Sequence, residues 1–265
     1  MFKRLTSAAA ILPICLVPIS SVGWEVAPHN AVYELTLAGH PGGGNISALQ
    51  GTMTLTWDQG CDGWVIEQNY QIHLLDHEGD SIQIGSEYYA LESLDGADFS
   101  FSSRNLVGGL VDEEYVGEAV LDQDGGRVRY SVPNGLERGL PAGTLFPTEH
   151  SLELLERAEA GDRFYVANVF DGSDELGVSE VSSIIGPSFE SSEEDTELQS
   201  PLLLRPGWPV SMAYFSQSQQ TSEPDVELRV EVLDNGVVRT MRLDYGSFAM
   251  DADLVFLEPI DQSSC

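Results

Sequence analysis

The chain has 265 residues, and its 43 acidic side chains against 12 basic ones give a formal net charge of -31. Hydrophobic residues make up 42% of the chain, enough for a core, which argues against a wholly disordered protein. The negative charge argues against binding to nucleic acid, whose phosphates need a basic surface, and against electrostatic attachment to anionic lipid.

The first 23 residues have the pattern of a secretory signal peptide. The basic pair Lys3-Arg4 precedes an apolar run over 8–19, and the small residues Ser21 and Gly23 suit cleavage before Trp24. The alternative, a membrane anchor, is disfavoured because the run is too short to span a bilayer. We therefore expect an exported chain whose mature part, 24–265, forms one domain and contains no integral membrane segment.

Cleavage would leave a mature chain that is more acidic and free of lysine. Lys3 is the only lysine of the sequence, and removing it with Arg4 leaves 10 basic against 43 acidic residues. Salt screens the repulsion among like charges. A saline exterior is therefore our hypothesis for the acidity, and it has no bearing on activity.

Two cysteines remain in the mature chain, Cys61 and Cys265, because Cys15 lies in the segment that would be removed. Since export leads to an oxidising compartment, we predict a disulfide between them. It would close a loop of about 205 residues, which the chain-entropy model values at roughly 5 kcal/mol. Two free thiols or a redox pair are the alternatives, although the spacing is not that of a C-x-x-C motif.

Alternation of apolar and polar residues along almost the whole mature chain predicts β-strands. In the clearest strand, Met53, Leu55 and Trp57 alternate with threonines. Turn pairs such as Asp95-Gly96 and Asn134-Gly135 separate the strands. The pattern indicates an all-β sandwich, barrel or curled sheet. Apart from the early strands near 32–37, 52–57 and 64–74, we predict strands near 81–93, 97–103, 112–121, 126–132, 162–171, 177–186, 208–217 and 248–258.

The segment 226–245 predicts a β-hairpin with a two-residue type I′ turn at Asn235-Gly236. That register pairs apolar residues on one face and sets Arg229 opposite Arg242 on the other. The predicted apolar pairs are Leu233 with Val238, Val230 with Met241, Leu228 with Leu243, and Val226 with Tyr245.

One short helix is predicted, beginning at an N-cap Thr148 and ending at Gly161. Its buried face would carry Leu152, Leu155 and Ala158. Further along the chain, the acidic stretch 190–197 is typical of a solvated loop.

The sequence contains no motif for catalysis or for a cofactor. The nucleophile elbow, the phosphate-binding loop and the dinucleotide fingerprint are all missing. No histidines form an H-x-x-x-H pair on a helix, because His73 and His77 flank a probable strand end. We predict no catalytic residue, no metal site and no cofactor, and hence a protein that is not an enzyme. A peptidoglycan hydrolase is the remaining enzymatic alternative. The histidines weighed for zinc are His29, His40, His73, His77 and His150.

Aromatic residues in or beside the predicted strands allow two interpretations. They form a core between layers, or they line the apolar concave face of a curled sheet that holds an acyl chain or an apolar peptide. These residues are Trp57, Trp64, Trp208, Tyr214, Phe215, Tyr245 and Phe248.

Several short motifs, taken in order, resemble the cell-envelope integrity protein B (EipB) family of alphaproteobacteria. The matching stretches are 29–35 (HNAVYEL), 61–64 (CDGW), 140–150 (LPAGTLFPTEH), 170–173 (FDGS), 205–210 (RPGWPV), 243–248 (LDYGSF) and Cys265. The resemblance implies a periplasmic protein whose long antiparallel sheet curls into a spiral or incomplete barrel, similar to the periplasmic lipoprotein carriers LolA and LolB. It also implies a disulfide between Cys61 and Cys265 and no established catalytic residues.

Residues and resemblance together predict an all-β fold with one short helix, and a non-enzymatic function in envelope integrity. The protein would bind a periplasmic protein or an apolar, acyl-chain ligand, and no particular side chain is assigned to that ligand. A lipid or lipoprotein carrier is the alternative function. We expect a monomer that does not bind nucleic acid.

Overall fold

The computed structural model describes residues 26–39, 45–175, 177–191, 198–217 and 222–261. The predicted signal peptide lies outside these residues. The helices are α1 (Pro147–Ala160) and a short 3-10 helix (Pro201–Leu203). The strands are β1 His29–Ala38, β2 Ile46–Gln59, β3 Gly63–Asp76, β4 Ser81–Ser93, β5 Asp98–Val107, β6 Leu110–Asp122, β7 Gly125–Val132, β8 Glu137–Leu140, β9 Thr144–Leu145, β10 Phe164–Val169, β11 Ser179–Ile185, β12 Gly207–Ser216, β13 Val226–Leu233, β14 Val238–Asp244 and β15 Ala249–Pro259.

All fifteen strands of the described residues belong to one sheet. From the pairing of β1 with β15, the sheet extends through β2 to β8 on one side and back through β14 to β9 on the other. Every neighbouring pair is antiparallel except β9 with β10, which run parallel. The order of strands around the sheet is therefore the order of strands along the chain.

The two edge strands, β8 and β9, are joined by only three residues, and this link forces the sheet to curl. In a flat sheet of fifteen strands, the two edge strands would lie about 67 Å apart, since neighbouring strands lie roughly 4.8 Å apart. Three linking residues span at most about 15 Å between Leu140 and Thr144. The sheet is accordingly nearly closed into a barrel, with an open seam between β8 and β9. The predicted curled all-β fold with one short helix is confirmed.

Helix α1 lies inside this curl and contacts both walls. Leu154, Leu155 and Ala158 pack into a core cluster with inward-facing residues of β10 to β13. At the start of the helix, Phe146 is fully buried in a second cluster, with residues of β3 to β8. The predicted helical face was partly wrong, because Leu152 is only half-buried while Leu154 is buried.

The ends of α1 differ in how well the sequence predicted them. Gly161 ends the helix in the left-handed region, with φ 86°, as predicted. The predicted Thr148 cap was wrong: the N-cap position is Phe146, without a side-chain capping bond, and Pro147 starts the helix. The capping acceptor comes from β4 instead, where the Glu92 carboxylate binds helix N–H groups.

The β13–β14 hairpin keeps most of its predicted register but not its turn. Leu228 pairs with Leu243, Val230 with Met241 and Arg229 with Arg242, as predicted.

The turn differs because Gly236 is the only one of its residues with a positive φ, 83°. A type I′ turn needs positive φ at Asn235 as well. The Gly236 N–H instead closes a four-residue turn onto the Leu233 carbonyl. The resulting bulge shifts the register, so Val238 faces Val232 and the predicted Leu233 pair was wrong. The predicted pairing of Val226 with Tyr245 is also absent among the described pairs, because β14 ends at Asp244.

The other predicted strands are all present, and β4 has the predicted bounds of 81 and 93. The short strands β8 and β9 were not predicted. Residues 192–197 of the acidic stretch lie outside the described residues. Across the described ranges, no helix is both long enough and apolar enough to cross a membrane.

Candidate functional site

The inner face of the barrel is the surface that the sequence singled out as a core or as a binding face. On neighbouring strands, Tyr33 pairs with Met53 and Met53 pairs with Tyr70, so these side chains lie side by side on the inner wall. The question for function is how much of the space they surround is filled.

Stacked aromatic rings fill one part of the interior. Phe99 of β5 stacks on Phe146 with ring centroids 4.7 Å apart. Phe170 meets Phe101 edge-on at 5.6 Å, and Tyr130 meets Phe101 edge-on at 5.5 Å. Because Phe99, Phe146 and Phe170 are fully buried, this half of the barrel is packed as a hydrophobic core.

The loop after β10 is fastened to the opposite wall. The Tyr88 hydroxyl donates to the Asp171 carbonyl at 2.7 Å, and the Tyr130 hydroxyl donates to the Asp174 carbonyl at 3.0 Å. Gly172 lies between these anchors with φ 71°, and a Cβ there would overlap the Phe101 ring. The FDGS motif, 170–173, therefore closes the interior across the seam.

Three tyrosine hydroxyls donate to backbone carbonyls of the interior. The chain has nine tyrosines, all within the described residues, and eight of them have a raised pKa for which burial is the largest cause. Burial raises the pKa of Tyr245 to about 12. The eight phenols therefore stay neutral at physiological pH. As neutral donors, Tyr33, Tyr88 and Tyr130 satisfy backbone carbonyls inside the barrel, Tyr33 that of Val238 at 2.8 Å.

Among the residues that the structure describes, Glu92 is the acidic residue buried in the interior, with 1% of its surface exposed. Its carboxylate accepts the N–H of Thr148 at 2.8 Å and the N–H of Glu149 at 2.9 Å. Burial raises the pKa of Glu92 to about 7, while these two bonds pull the pKa down. Sequence reasoning missed this residue because Glu92 is one of 43 acidic side chains and no local motif distinguishes it.

Of the five histidines weighed as zinc ligands, His29 and His150 are buried. Burial lowers the pKa of His29, whose Nδ1 lies 2.7 Å from the Ala27 carbonyl oxygen. Burial also lowers the pKa of His150 to about 4, and its ring stacks on Tyr165 at 5.6 Å. Both rings are therefore neutral at pH 7. His73 and His77 are exposed at the end of β3, and His40 lies outside the described residues.

One group of acidic oxygens approaches closely within the described ranges, at the β3–β4 turn. Asp76, Glu78 and Asp80 each place a carboxylate oxygen within 4.8 Å of the others. Asp76 accepts the N–H groups of Glu78 and Asp80 at 2.8 Å and 2.9 Å. Those bonds identify a hydrogen-bonded turn, which explains the cluster without a metal.

The aromatic residues that the sequence singled out are divided between core and rim. Trp64 and Trp208 are buried, and Trp57 is half-buried in the same cluster as Phe99. Tyr214 and Phe215 are half-buried on β12. Near the β14–β15 turn, Phe248 is half-buried and stacks on the more exposed Tyr245 at 5.2 Å.

A third apolar cluster, around Tyr33, lies at the end of the barrel remote from α1. Several apolar residues packed against its buried members are only half-buried. They are Leu37, Ile46, Tyr70, Ile84, Leu243 and Phe248. We call this region the apolar mouth. Both interpretations of the aromatics therefore apply in part: α1 and the stacked rings fill one end of the interior, and the mouth presents apolar surface at the other.

Only one of the two predicted disulfide partners, Cys61, lies among the described residues. Cys61 is exposed in the short turn between β2 and β3. Cys265 lies outside the described residues, and the pairing therefore stays a prediction.

These features define a class: a barrel-like protein made of one curled antiparallel sheet with an open seam and a helix inside. Comparison with known proteins gives the family. The chain belongs to the EipB-like family, whose model matches residues 21–261. It is 30% identical over 240 residues to the cell envelope integrity protein EipB of Brucella abortus (strain 2308), covering 89% of this chain and 85% of that protein.

The fold comparison agrees with the sequence comparison. A crystal structure of a beta-barrel-like protein from Brucella abortus, described as a domain of unknown function, superposes with a TM-score of 0.83 at 30% identity. The match covers 89% of this chain and 99% of that structure. The resemblance drawn from the short motifs is thereby confirmed.

Proposed function

We propose that this chain is a periplasmic, non-enzymatic protein that maintains the integrity of the cell envelope by binding a protein or an apolar ligand. The observation that carries the proposal is the 30% identity, over nearly the whole chain, to a protein named for envelope integrity. The proposed location follows from the signal-peptide pattern of the first 23 residues.

A binding function suits a barrel that is firmly packed at one end and has half-buried apolar residues at the other. Helix α1, the Glu92 cap and the stacked phenylalanines hold one end in a fixed shape. Binding costs less ordering entropy on a surface that is already fixed. The apolar mouth and the outer edges of the sheet are then the surfaces that remain for a partner.

The proposed disulfide between Cys61 and Cys265 is supported by the strand register. Pro259, the last residue of β15, pairs with His29, and His29 pairs with Trp57 near the end of β2. Two strand spacings amount to about 10 Å. Residues 260–265 span up to roughly 20 Å when extended, so Cys265 has enough chain to reach the turn that holds Cys61. The bond would tie the last strand to the β2–β3 hairpin.

The alternative function, a lipid or lipoprotein carrier, is favoured by the apolar mouth. An acyl chain needs an apolar-lined cavity of a few hundred Å³. Half-buried Leu37, Ile84 and Leu243 provide apolar wall for such a ligand, whereas the half of the interior filled by phenylalanines does not.

Deletion of the gene in its own organism tests the envelope function. We expect loss of survival on a detergent or a cell-wall antibiotic, restored by the wild-type gene expressed with its signal peptide. Restoration by a version lacking residues 1–23 would contradict the periplasmic location. Unchanged survival of the deletion strain under both stresses would contradict the envelope role.

Native mass spectrometry of protein taken from the periplasm without detergent separates the two binding functions. An added mass that matches an acyl species and disappears on delipidation would favour the carrier. A bare monomer would favour a protein partner. It would weigh two mass units less than the reduced form if the disulfide is present.

A further inference from the structure

The outer edge of β10 carries exposed apolar side chains. Phe164 is 73% exposed and Val166 is 59% exposed, while Tyr165 between them is buried against α1. Ile184, the register partner of Phe164 on β11, is 56% exposed. Together Phe164, Val166 and Ile184 form a compact apolar strip on the outside of the barrel, which we call the β10 strip.

The backbone of this strand also has unpaired hydrogen-bonding groups. The Ile185 N–H donates to the Arg163 carbonyl at 3.0 Å, which makes Phe164–Ile184 a non-hydrogen-bonded pair of the antiparallel ladder. The N–H and C=O groups of Phe164 and Val166 therefore point away from β11, toward the seam. Strand β9 pairs only with Asn168 and Val169, and no other strand of the described residues covers this stretch.

An exposed edge of this kind is unusual in a native protein. Edge strands are commonly protected by lysine, proline, a bulge or a covering loop, because an open apolar edge invites pairing with another chain. Here the residues that face outward are Phe164 and Val166, and neither is charged or a proline.

A surface pocket with an acidic lining adjoins the start of β10. It has a volume of about 380 Å³, and Trp208 and Arg163 contribute to its wall. Its lining includes four carboxylates, of which Asp234 is paired with Arg205 and Asp162 with Arg157. The four are Glu159, Asp162, Glu190 and Asp234.

We propose that the β10 strip docks an extended segment of another protein, which adds a strand beside Phe164 and Val166 and places a lysine or arginine in the acidic pocket. The main-chain groups supply the pairing, and the apolar strip and the carboxylates select the sequence. A second copy of this chain is disfavoured because two molecules of net charge -31 repel each other. The proposal deepens the proposed function by naming the partner's chemistry.

The test uses the purified mature protein and a synthetic peptide with valine and threonine alternating and two lysines at each end. A control peptide of the same sequence carries N-methyl groups on alternate residues and cannot form the ladder. We expect saturable binding of the first peptide by fluorescence anisotropy, weaker at high salt, and at least tenfold weaker binding of the control.

Two variants and a matched control locate the site. Val166→Pro removes the N–H that points toward the seam and leaves the β11 ladder intact. Phe164→Ser removes the most exposed side chain of the strip. Tyr89→Ser is the control, since Tyr89 is 45% exposed on β4 and is paired on both sides, with Glu67 of β3 and Ser102 of β5. We expect Kd to rise at least tenfold in the two β10 variants and to stay unchanged in the control.

Other outcomes overturn the proposal in distinguishable ways. No binding of the peptide by folded wild-type protein, or an equal loss in Tyr89→Ser, would show that β10 is not the docking edge. A dimer in sedimentation equilibrium that Val166→Pro converts to monomer would assign the edge to a second copy instead. Because these measurements are made on purified protein, they can fail while the envelope phenotype of the deletion strain still holds.

Discussion

The Glu92 carboxylate of β4 accepts the backbone N–H of Thr148 at 2.8 Å, across 56 residues of sequence, and so caps α1 from the opposite wall. A helix N-terminus carries unsatisfied N–H groups and a partial positive charge, both of which favour a carboxylate. The helix is thus held in the barrel by a bond to the strand that faces its start, in addition to its own apolar face.

Glu92→Gln is expected to change how stability depends on pH. The pKa of Glu92 is raised to about 7 in the folded protein, from about 4.5 in the unfolded chain. Between these values the folded state binds more protons, so the Glu92 contribution is fully present below pH 4.5 and is lost as pH rises through 7. The full loss of unfolding free energy from this group is about 3 kcal/mol, and the variant should not show this loss. Urea unfolding of both proteins from pH 4.5 to 8 measures it, and parallel curves would contradict the raised pKa.

His150→Phe is expected to show the opposite dependence. The pKa of His150 is lowered to about 4, against 6.5 in the unfolded chain, so stability from this group is present above pH 6.5 and is lost as pH falls toward 4. Phenylalanine keeps the stacking on Tyr165 and cannot take up a proton. As the pH falls from 6.5 to 4, the wild type should lose about 3 kcal/mol of unfolding free energy through His150, and the variant should not lose it. Replacing the exposed His73 in the same way serves as the control, and an equal effect there would contradict a specific role for burial.

Gly172→Ala should destabilise the protein far more than Gly246→Ala. Both glycines have positive φ, 71° and 75°, so an alanine at either position destabilises the fold by about 1 kcal/mol through its left-handed backbone conformation. At Gly246 a Cβ meets nothing within 4 Å, whereas at Gly172 it overlaps the Phe101 ring and adds about 2 kcal/mol of overpacking. Thermal unfolding of the two variants gives the difference. Equal melting temperatures would show that the 170–173 loop is not held against Phe101.

Cys61→Ser and Cys265→Ser test the proposed disulfide as a pair. Each should lower the free energy of unfolding by roughly 5 kcal/mol, because each removes the same closed loop of about 205 residues. The double variant should cost no more than either single change, since one bond is lost in all three. Denaturant titration measures the energies. Two titratable thiols in unreduced, denatured wild-type protein would contradict the bond.

The sequence predicted the sheet well because its information is local. Alternation defines each strand, and β4 was predicted with its observed bounds. The two short edge strands β8 and β9 were missed, because four and two residues are too few to show an alternating pattern. The turn at Asn235-Gly236 was mispredicted because the same dipeptide suits both a two-residue loop and a bulged one.

The site was harder to predict because its contacts join distant parts of the chain. Glu92 reaches Thr148, and Tyr88 reaches Asp171, only once the sheet has curled. The exposed edge at Phe164 and Val166 could not be predicted from the sequence, because both residue types are typical of buried strands. Motif resemblance identified the family, while the surfaces available to a partner required the fold.

The pairing of the first strand with the last has a consequence for the growing chain. His29 pairs with Pro259, so β1 cannot pair with β15, its second neighbouring strand, until almost all of the polypeptide has been synthesised. Until then the meander from β1 to β8 exposes an open edge at β1, and a chaperone that shields this edge would prevent premature pairing between nascent molecules. A premature stop before residue 249 would leave that edge, and the one on β14, permanently open.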